Sequence, residues 1–276
     1  MEYIEDYFVG LKNHRIYYQI WKPEKPKAII QIIHGGFEHL GRYNFLVEKL
    51  TTNDFIVCGN DHRGHGKSEG KRNHIKSFDE YEADCYTFTK IIKKKYPNFP
   101  IFILGHSLGS CVAQRYAIHH QDELKGIILA GTGTGIPFVS LPLQIVARIM
   151  SKLYPSFKAS SNFDPYEIST DPESISNYMN DPLINYKTAS AGMAIAFMDH
   201  YKEIKAKIGD IHIPILIQKG DLDTIVVGLD ELNSDLKSKD KTIKIYKDCK
   251  HEVYTESKDK RDNALSDLNN WINSHL

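Results

Sequence analysis

The chain has 276 residues, enough to bury one large core, and its lysines plus arginines equal its aspartates plus glutamates at 35 each. A chain of zero formal charge does not steer polyanions, so nucleic acid is excluded as the expected partner. Four scattered cysteines without C-x-x-C read as buried free thiols of a reducing, cytoplasmic setting. The acidic start Met1–Asp6 is no secretory leader, and no window approaches the ~18 apolar residues that span a bilayer.

In chain order, residues 3–9 and 14–22 alternate as a strand pair around a hairpin at Gly10 to Asn13. Residues 27–33 are almost continuously apolar, the pattern of a strand covered on both faces. This strand delivers the chain into His34-Gly35-Gly36-Phe37-Glu38-His39, where a glycine pair lets backbone approach a ligand closely. A short helix over 43–51 and a buried strand over 54–59 follow. The polar, glycine-rich stretch 60–70 then reads as a rigid loop. His62 and His65 in it are read as scaffold, because their spacing suits no metal site.

Residues 77–96 predict a helix, with Ser77 and Glu80 as a capping box and Tyr81, Cys85, Phe88 and Ile92 on one apolar face. The buried strand Ile101 to Leu104 then enters Gly105-His106-Ser107-Leu108-Gly109 and a helix. G-x-S-x-G between strand and helix is the nucleophile elbow, which presents a serine hydroxyl at a helix N-terminus. The plain alternative is a tight turn with a buried capping serine.

After a strand over 126–130 the rhythm breaks. Residues 135–207 show no strand pattern and read as a helical cap, between core segments 1–134 and 208–276. A helix opened by Pro142 carries Leu143, Ile145, Val146, Ile149, Met150 and Leu153 on an apolar face and Gln144, Arg148, Ser151 and Lys152 on a polar one. A second helix over 188–204 carries Met193, Phe197 and Met198. These apolar faces are expected either to wall an apolar substrate site, to pack the cap on the body, or to touch a membrane surface. The sheet resumes over 213–219 and ends in Gly220-Asp221-Leu222-Asp223. A last strand over 241–246 leads to a loop with His251, and a helix over 259–275 closes the chain.

Strands alternating with helices predict an α/β fold with a mostly parallel, doubly wound sheet. Serine, acid and histidine in that chain order fit a hydrolytic triad: Ser107 as nucleophile, His251 as base and Asp223 as acid, with Asp221 the competing carboxylate. The N–H groups of Gly36 and Leu108 are the expected oxyanion donors; the alternative for the first is a plain glycine-rich connection. No metal or organic cofactor is needed for this chemistry.

Residues 34–43, 61–70, 105–109 and 178–183 together resemble the monoacylglycerol lipase and lysophospholipase branch of the α/β-hydrolases, whose domain is called serine aminopeptidase. The resemblance implies an eight-stranded sheet with a lid and hydrolysis of one acyl ester in a lipid with a small polar head. It implies that Glu38, Arg42 and His106 line the polar end of the pocket, although Glu38 and Arg42 could instead pair and brace the loop. The third and fourth residues of the first motif vary within the branch, and the bulky Phe37 is expected to narrow the pocket; Ser110 stands where many relatives have glycine.

The acyl chain is expected under Ile136, Phe138, Leu143, Val146, Met150 and Met193. The competing readings are a short-chain esterase and an aminopeptidase or amidase, for which Glu167, Asp171 and Asp181 are available to anchor an amine. A binding protein on a hydrolase fold is the non-enzymatic alternative.

Overall fold

The apolar runs become the central strands of one sheet in the computed structural model, which describes residues 1–135 and 141–276. β1 (Glu2–Val9) and β2 (Arg15–Lys22) pair antiparallel in full register, as their alternation requires. β3 (Ala28–Ile33), β4 (Phe55–Asn60), β5 (Ile101–His106) and β6 (Gly126–Ala130) follow. β7 (Lys158–Ser160) and β8 (Thr188–Ser190) stand apart as a small ribbon, and β9 (Ile215–Gly220) and β10 (Lys241–Tyr246) complete the main sheet. Its order is β1-β2-β4-β3-β5-β6-β9-β10, with β2 antiparallel to both neighbours and every other pair parallel.

Every residue of β3, β4, β5, β6 and β9 is buried. Alternation sends Ile29, Ile33, Ile101, Ile103, Ile127 and Leu129 to one face and Ile30, Ile32, Phe102, Leu104 and Ile128 to the other. Helix α1 (Asn44–Thr52) adds Leu46 and Leu50 to the second cluster. Helices α2 (Asp79–Lys95) and α3 (Leu108–His120) add Phe88, Ile92, Val112 and Tyr116 to the first. Between β6 and β9 lie α4 (Leu141–Leu153), α5 (Pro172–Asn180) and α6 (Ala191–Lys207). After β9 come α7 (Leu229–Asp235) and α8 (Lys258–Ser274), whose Leu265, Leu268 and Trp271 close the second cluster. Each such fully buried apolar side chain contributes about 1.5–3 kcal/mol, so the two-sided core dominates stability. All four cysteines are buried and unpaired.

Three local expectations need correction. Ser77 and Glu80 form no capping box: Ser77 Oγ donates to Asp79 Oδ2, and Glu80 accepts instead from Lys12 and from the Lys76 N–H. The ribbon β7–β8 interrupts the stretch read as purely helical, and α6 starts only at Ala191. Two short helices, α5 and α7, carry too few turns for a clear apolar period. Finally, of the outcomes expected for its apolar face, α4 shows neither a substrate wall nor packing on the body. Leu141, Ile145, Val146, Ile149 and Leu153 are exposed, while Gln144, Ala147, Met150 and Ser151 are half-buried. Its partner is α6, to which Arg148 is tied through Asp199 at 2.9 Å.

The turn from β5 into α3 depends on a close approach. A Cβ on Gly109 would lie 1.9 Å from the carbonyl oxygen of Ile33, and one on Gly105 2.3 Å from the carbonyl oxygen of Gly109. These glycines therefore serve backbone packing around the serine rather than clearance of the serine side chain itself. Gly109→Ala is expected to lower stability by about 3 kcal/mol or more, since neither backbone segment can yield; denaturant unfolding of the purified variant checks this.

Candidate active site

Parallel register brings five strand ends to one edge. Ile33 of β3 pairs with Gly105, His106 of β5 with Ala130, Ala130 of β6 with Gln218, and Gly220 of β9 with Tyr246. The loops that follow therefore gather beyond the carboxyl ends, beside the point where the chain's winding reverses between β3 and β5.

Ser107 caps α3 with φ 52° and ψ −118°, a left-handed conformation costly for a residue with a Cβ. Its N–H donates to the Ala130 carbonyl at 3.0 Å, pinning the turn to β6. Ser110, one turn on, donates its hydroxyl to the Ser107 carbonyl at 2.7 Å and lies 2.9 Å from Thr132 Oγ1. Ser110 thus adds a second pin to the turn.

His251 packs against Gly131, which has φ +54°; a Cβ there would lie 2.9 Å from the imidazole Cε1. The ring is buried, and its Nδ1 is 3.0 Å from Asp223 Oδ2. Neither ring nitrogen makes a hydrogen bond of good geometry among the described residues, so the tie to Asp223 is a close contact and Nε2 is unpaired. The side chain of Asp223 is fully buried, and its Oδ1 accepts the N–H groups of Ile225 at 2.9 Å and Val226 at 3.3 Å. Burial alone would raise its carboxyl; the close contact and charge of His251 and the charge and hydrogen bond of Lys219 outweigh burial and hold it well below the usual carboxylate range. Asp221, the competing acid, is exposed, and its N–H serves the Tyr246 carbonyl. The expected histidine thus meets one of the two expected acids, and the described contact chooses Asp223.

A cavity of about 470 Å³ opens at Ser107, within the ~300–1,000 Å³ range of small-molecule sites. Gly36, Phe37 and Leu108 line it beside the serine. Phe163, Met193, Phe197 and Tyr201 form an apolar wall, and Asn162, Asp164, Glu167 and Thr224 form polar edges. Of the apolar side chains expected at the substrate pocket, Phe37 and Met193 line it. Val146 and Met150 do not: Val146 is 54 % exposed, because α4 turns its apolar face away from α6. Phe138 and Ile136 lie outside the described residues, as does the side chain of Leu143. Tyr201 was not expected, yet Met193, Phe197 and Tyr201 recur every four residues, a helical stripe that would have included it.

Glu38, Arg42 and His106 are not on this cavity; they form a buried polar cluster behind it. Arg42 makes a fork to Glu252, with both contacts at 2.8 Å, and a third bond to Glu38 at 2.7 Å. Glu38 also accepts from the Gly35 N–H at 2.6 Å, from Tyr43 Oη at 2.8 Å and from His106 Nδ1 at 3.1 Å. These bonds match the bracing alternative for Glu38 and Arg42, which also line a small space of about 20 Å³. Burial opposes ionisation of Glu38, but the hydrogen bond from His106 and the charge of Arg42 prevail and keep its carboxyl well below the usual range. Burial likewise opposes charge on His106, yet Glu38 raises it above the ordinary histidine value. Glu252, the member not expected from sequence, follows His251 directly, so the cluster anchors the histidine loop.

His62 and His65 are scaffold. The His62 N–H donates to His34 Nε2 at 2.8 Å, and burial pushes the two imidazoles down to about 3 and about 4. Asp171 caps α5 and Asp181 bonds His39 at 2.9 Å, so of the three carboxylates considered for an amine only Glu167 lines the cavity. Among the described residues no group of three His, Cys, Asp or Glu side chains could hold a metal ion.

The family described as serine aminopeptidase, S33, matches residues 24–258. A monoacylglycerol lipase of Mycolicibacterium smegmatis is 32 % identical over 276 residues, covering 99 % of this chain and 98 % of its own. The phospholipase YtpA of Bacillus subtilis is 32 % identical over 167 residues, 59 % of this chain and 63 % of its own. The crystal structure of the monoacylglycerol lipase of Paleococcus ferrophilus superimposes with a TM-score of 0.83 at 27 % identity, over 95 % of this chain and 99 % of that one.

The buried His106–Glu38 pair has a pH signature. His106 is raised above 6.5, so its contribution is complete below that value and is lost as the pH rises through its own, higher one. Glu38 is lowered below 4.5, so its contribution is complete above that value and is lost only as the pH falls through its own, lower one. The stability difference between wild type and Glu38→Gln is therefore expected to be largest between about pH 5 and 6.5 and to shrink toward pH 9. Unfolding free energies across that range measure it; a difference constant with pH refutes a charged pair.

Proposed function

The chain belongs to the serine aminopeptidase S33 family of α/β-hydrolases, and on that premise we propose that it hydrolyses the acyl ester of a monoacylglycerol or lysophospholipid. Ser107 attacks the ester carbonyl while His251 Nε2 takes its proton, and the same nitrogen returns that proton to the departing alcohol. Asp223 fixes the imidazole's orientation and stabilises it once protonated. The N–H groups of Gly36 and Leu108 receive the oxyanion, each such donor being worth about 3–4 kcal/mol in the transition state. Water, activated by His251, then releases the fatty acid from Ser107.

One observation carries the lipid reading: a single cavity runs from Ser107 along the apolar side chains of Phe37, Phe163, Met193, Phe197 and Tyr201. An acyl chain loses its water there, at about 25 cal/mol per Å² buried, while a small polar head suits the Asn162 and Thr224 edge. Residues 141–207 act as a cap that supplies most of this wall.

The exposed stripe Leu141, Ile145, Ile149 and Leu153 repeats every helical turn and is a surface for peripheral contact with lipid. No helix among the described residues is long and apolar enough to cross a membrane.

Two experiments test the reading. Ser107→Ala is expected to lose fluorophosphonate labelling and to lower kcat by about 10⁴-fold or more. Wild type is expected to hydrolyse monoacylglycerols and lysophosphatidylcholine faster as the acyl chain lengthens; a maximum at short p-nitrophenyl esters would point to a short-chain esterase instead. For the lipid contact, Ile145→Ser with Ile149→Ser is expected to lower turnover of vesicle-borne monoacylglycerol several-fold while sparing a water-soluble ester. Equal loss on both substrates counts against a surface role.

A further inference from the structure

One buried cation has no part in the mechanism above. Lys219 lies on β9, four residues before Asp223, with its side chain only 11 % exposed. Its Nζ donates to Asp223 Oδ2, the oxygen that also faces His251 Nδ1, and to the Val226 carbonyl at 2.8 Å. The other carboxylate oxygen already receives the N–H groups of Ile225 and Val226. The carboxylate is thus well supplied with donors even without the lysine, and a buried ammonium is an expensive way to add one. What an ammonium supplies that a neutral donor does not is charge.

We propose that Lys219 is a positioning residue for the hydrolysis: it clamps Asp223 to the 223–226 turn, and its charge offsets the pull of Asp223 on a proton at His251. This inference rests on the catalytic roles proposed for Asp223 and His251. A carboxylate beside an imidazole favours the protonated ring, which cannot accept the serine proton. A cation on the same carboxylate oxygen opposes this, so His251 stays available as base at lower pH. Ile225 and Val226, on the clamped turn, also line the cavity, so the same contact links the acid to the substrate wall.

The other charged groups around His251 are accounted for. His106 faces it from the end of β5, with ring centroids 4.9 Å apart, and is bonded to Glu38. Glu252, next in the loop, is paired with Arg42; Lys250, on the other side, is paired with Glu167. Tyr201 of α6 is close enough to Asp223 to sense its charge. None of these groups touches Lys219, so its replacement isolates its own effect.

The test is the pH profile of kcat/KM on a water-soluble ester for wild type, Lys219→Met, Lys219→Gln and Lys219→Arg, with thermal unfolding recorded at each pH. The acidic limb is expected to move up by about one pH unit in both neutral variants and to return to the wild-type position in Lys219→Arg. One unit below the wild-type midpoint, the neutral variants should be several-fold to about tenfold slower than wild type. Should the methionine variant fail to fold, the glutamine variant, which can still donate to Asp223, carries the comparison. Wild-type limbs in both neutral variants, or a lower plateau with no shift of the limb, overturn the charge role and leave a structural lysine. A wild type without an acidic limb, or one unaffected by His251→Ala, instead defeats the catalytic assignment beneath it.

Discussion

The first turn of α3 lies directly against the end of β3, and everything at the site depends on that approach. With a Cβ excluded at Gly109 by the Ile33 carbonyl, helix and strand come close enough for the backbone after β3 to stand beside the serine turn. Ser107 is held in its left-handed conformation by a hydrogen bond to β6 and by Ser110, so the local cost is met by the surrounding sheet. Loosening this contact would separate Gly36 from Leu108, whose side chain is in van der Waals reach of a Cβ placed on Gly36.

Two buried charge clusters flank His251, and they do different things. Arg42, Glu38, His106 and Glu252 tie the loop after β3 to the residue that follows His251 in the chain. Lys219 and Asp223 hold the other side of the ring. Buried ion pairs return little net stability, because desolvation takes back most of the Coulomb gain. Their value here is geometric: each cluster over-determines a loop that has no regular hydrogen-bond ladder of its own. Polar side chains the motif suggested as substrate contacts are thereby consumed in support, and the cavity that reaches Ser107 is walled chiefly by apolar ones.

The segment between β6 and β9 divides its apolar surface in two. α6 turns Met193, Phe197 and Tyr201 inward onto the cavity, and α4 leaves Leu141, Ile145, Ile149 and Leu153 in solvent. Both helices have an apolar stripe of similar spacing. The difference lies in their neighbours: α6 rests on the core through Ala196 and Ile204, whereas α4 has α6 as its principal partner and meets it through half-buried Ala147, Met150 and Ser151.

The order of strands and helices, the elbow at Ser107 and the histidine loop were legible from sequence alone. Each is a local pattern: a continuous apolar run means a strand covered on both faces, and glycines at 105 and 109 mean a turn too tight for side chains. The short elements α5, α7, β7 and β8 were not legible, because three to nine residues hold too few periods to stand out. Only tertiary structure chose Asp223 over Asp221, since both end the same strand and the choice depends on where a loop about thirty residues later folds back. It also tied Glu38 and Arg42 to each other and to Glu252, away from the cavity at Ser107, and set which side of α4 faces water. Periodicity defines the faces of a helix, and motif spacing defines the chemistry at hand, but what each face or side chain meets is set by residues distant in the chain.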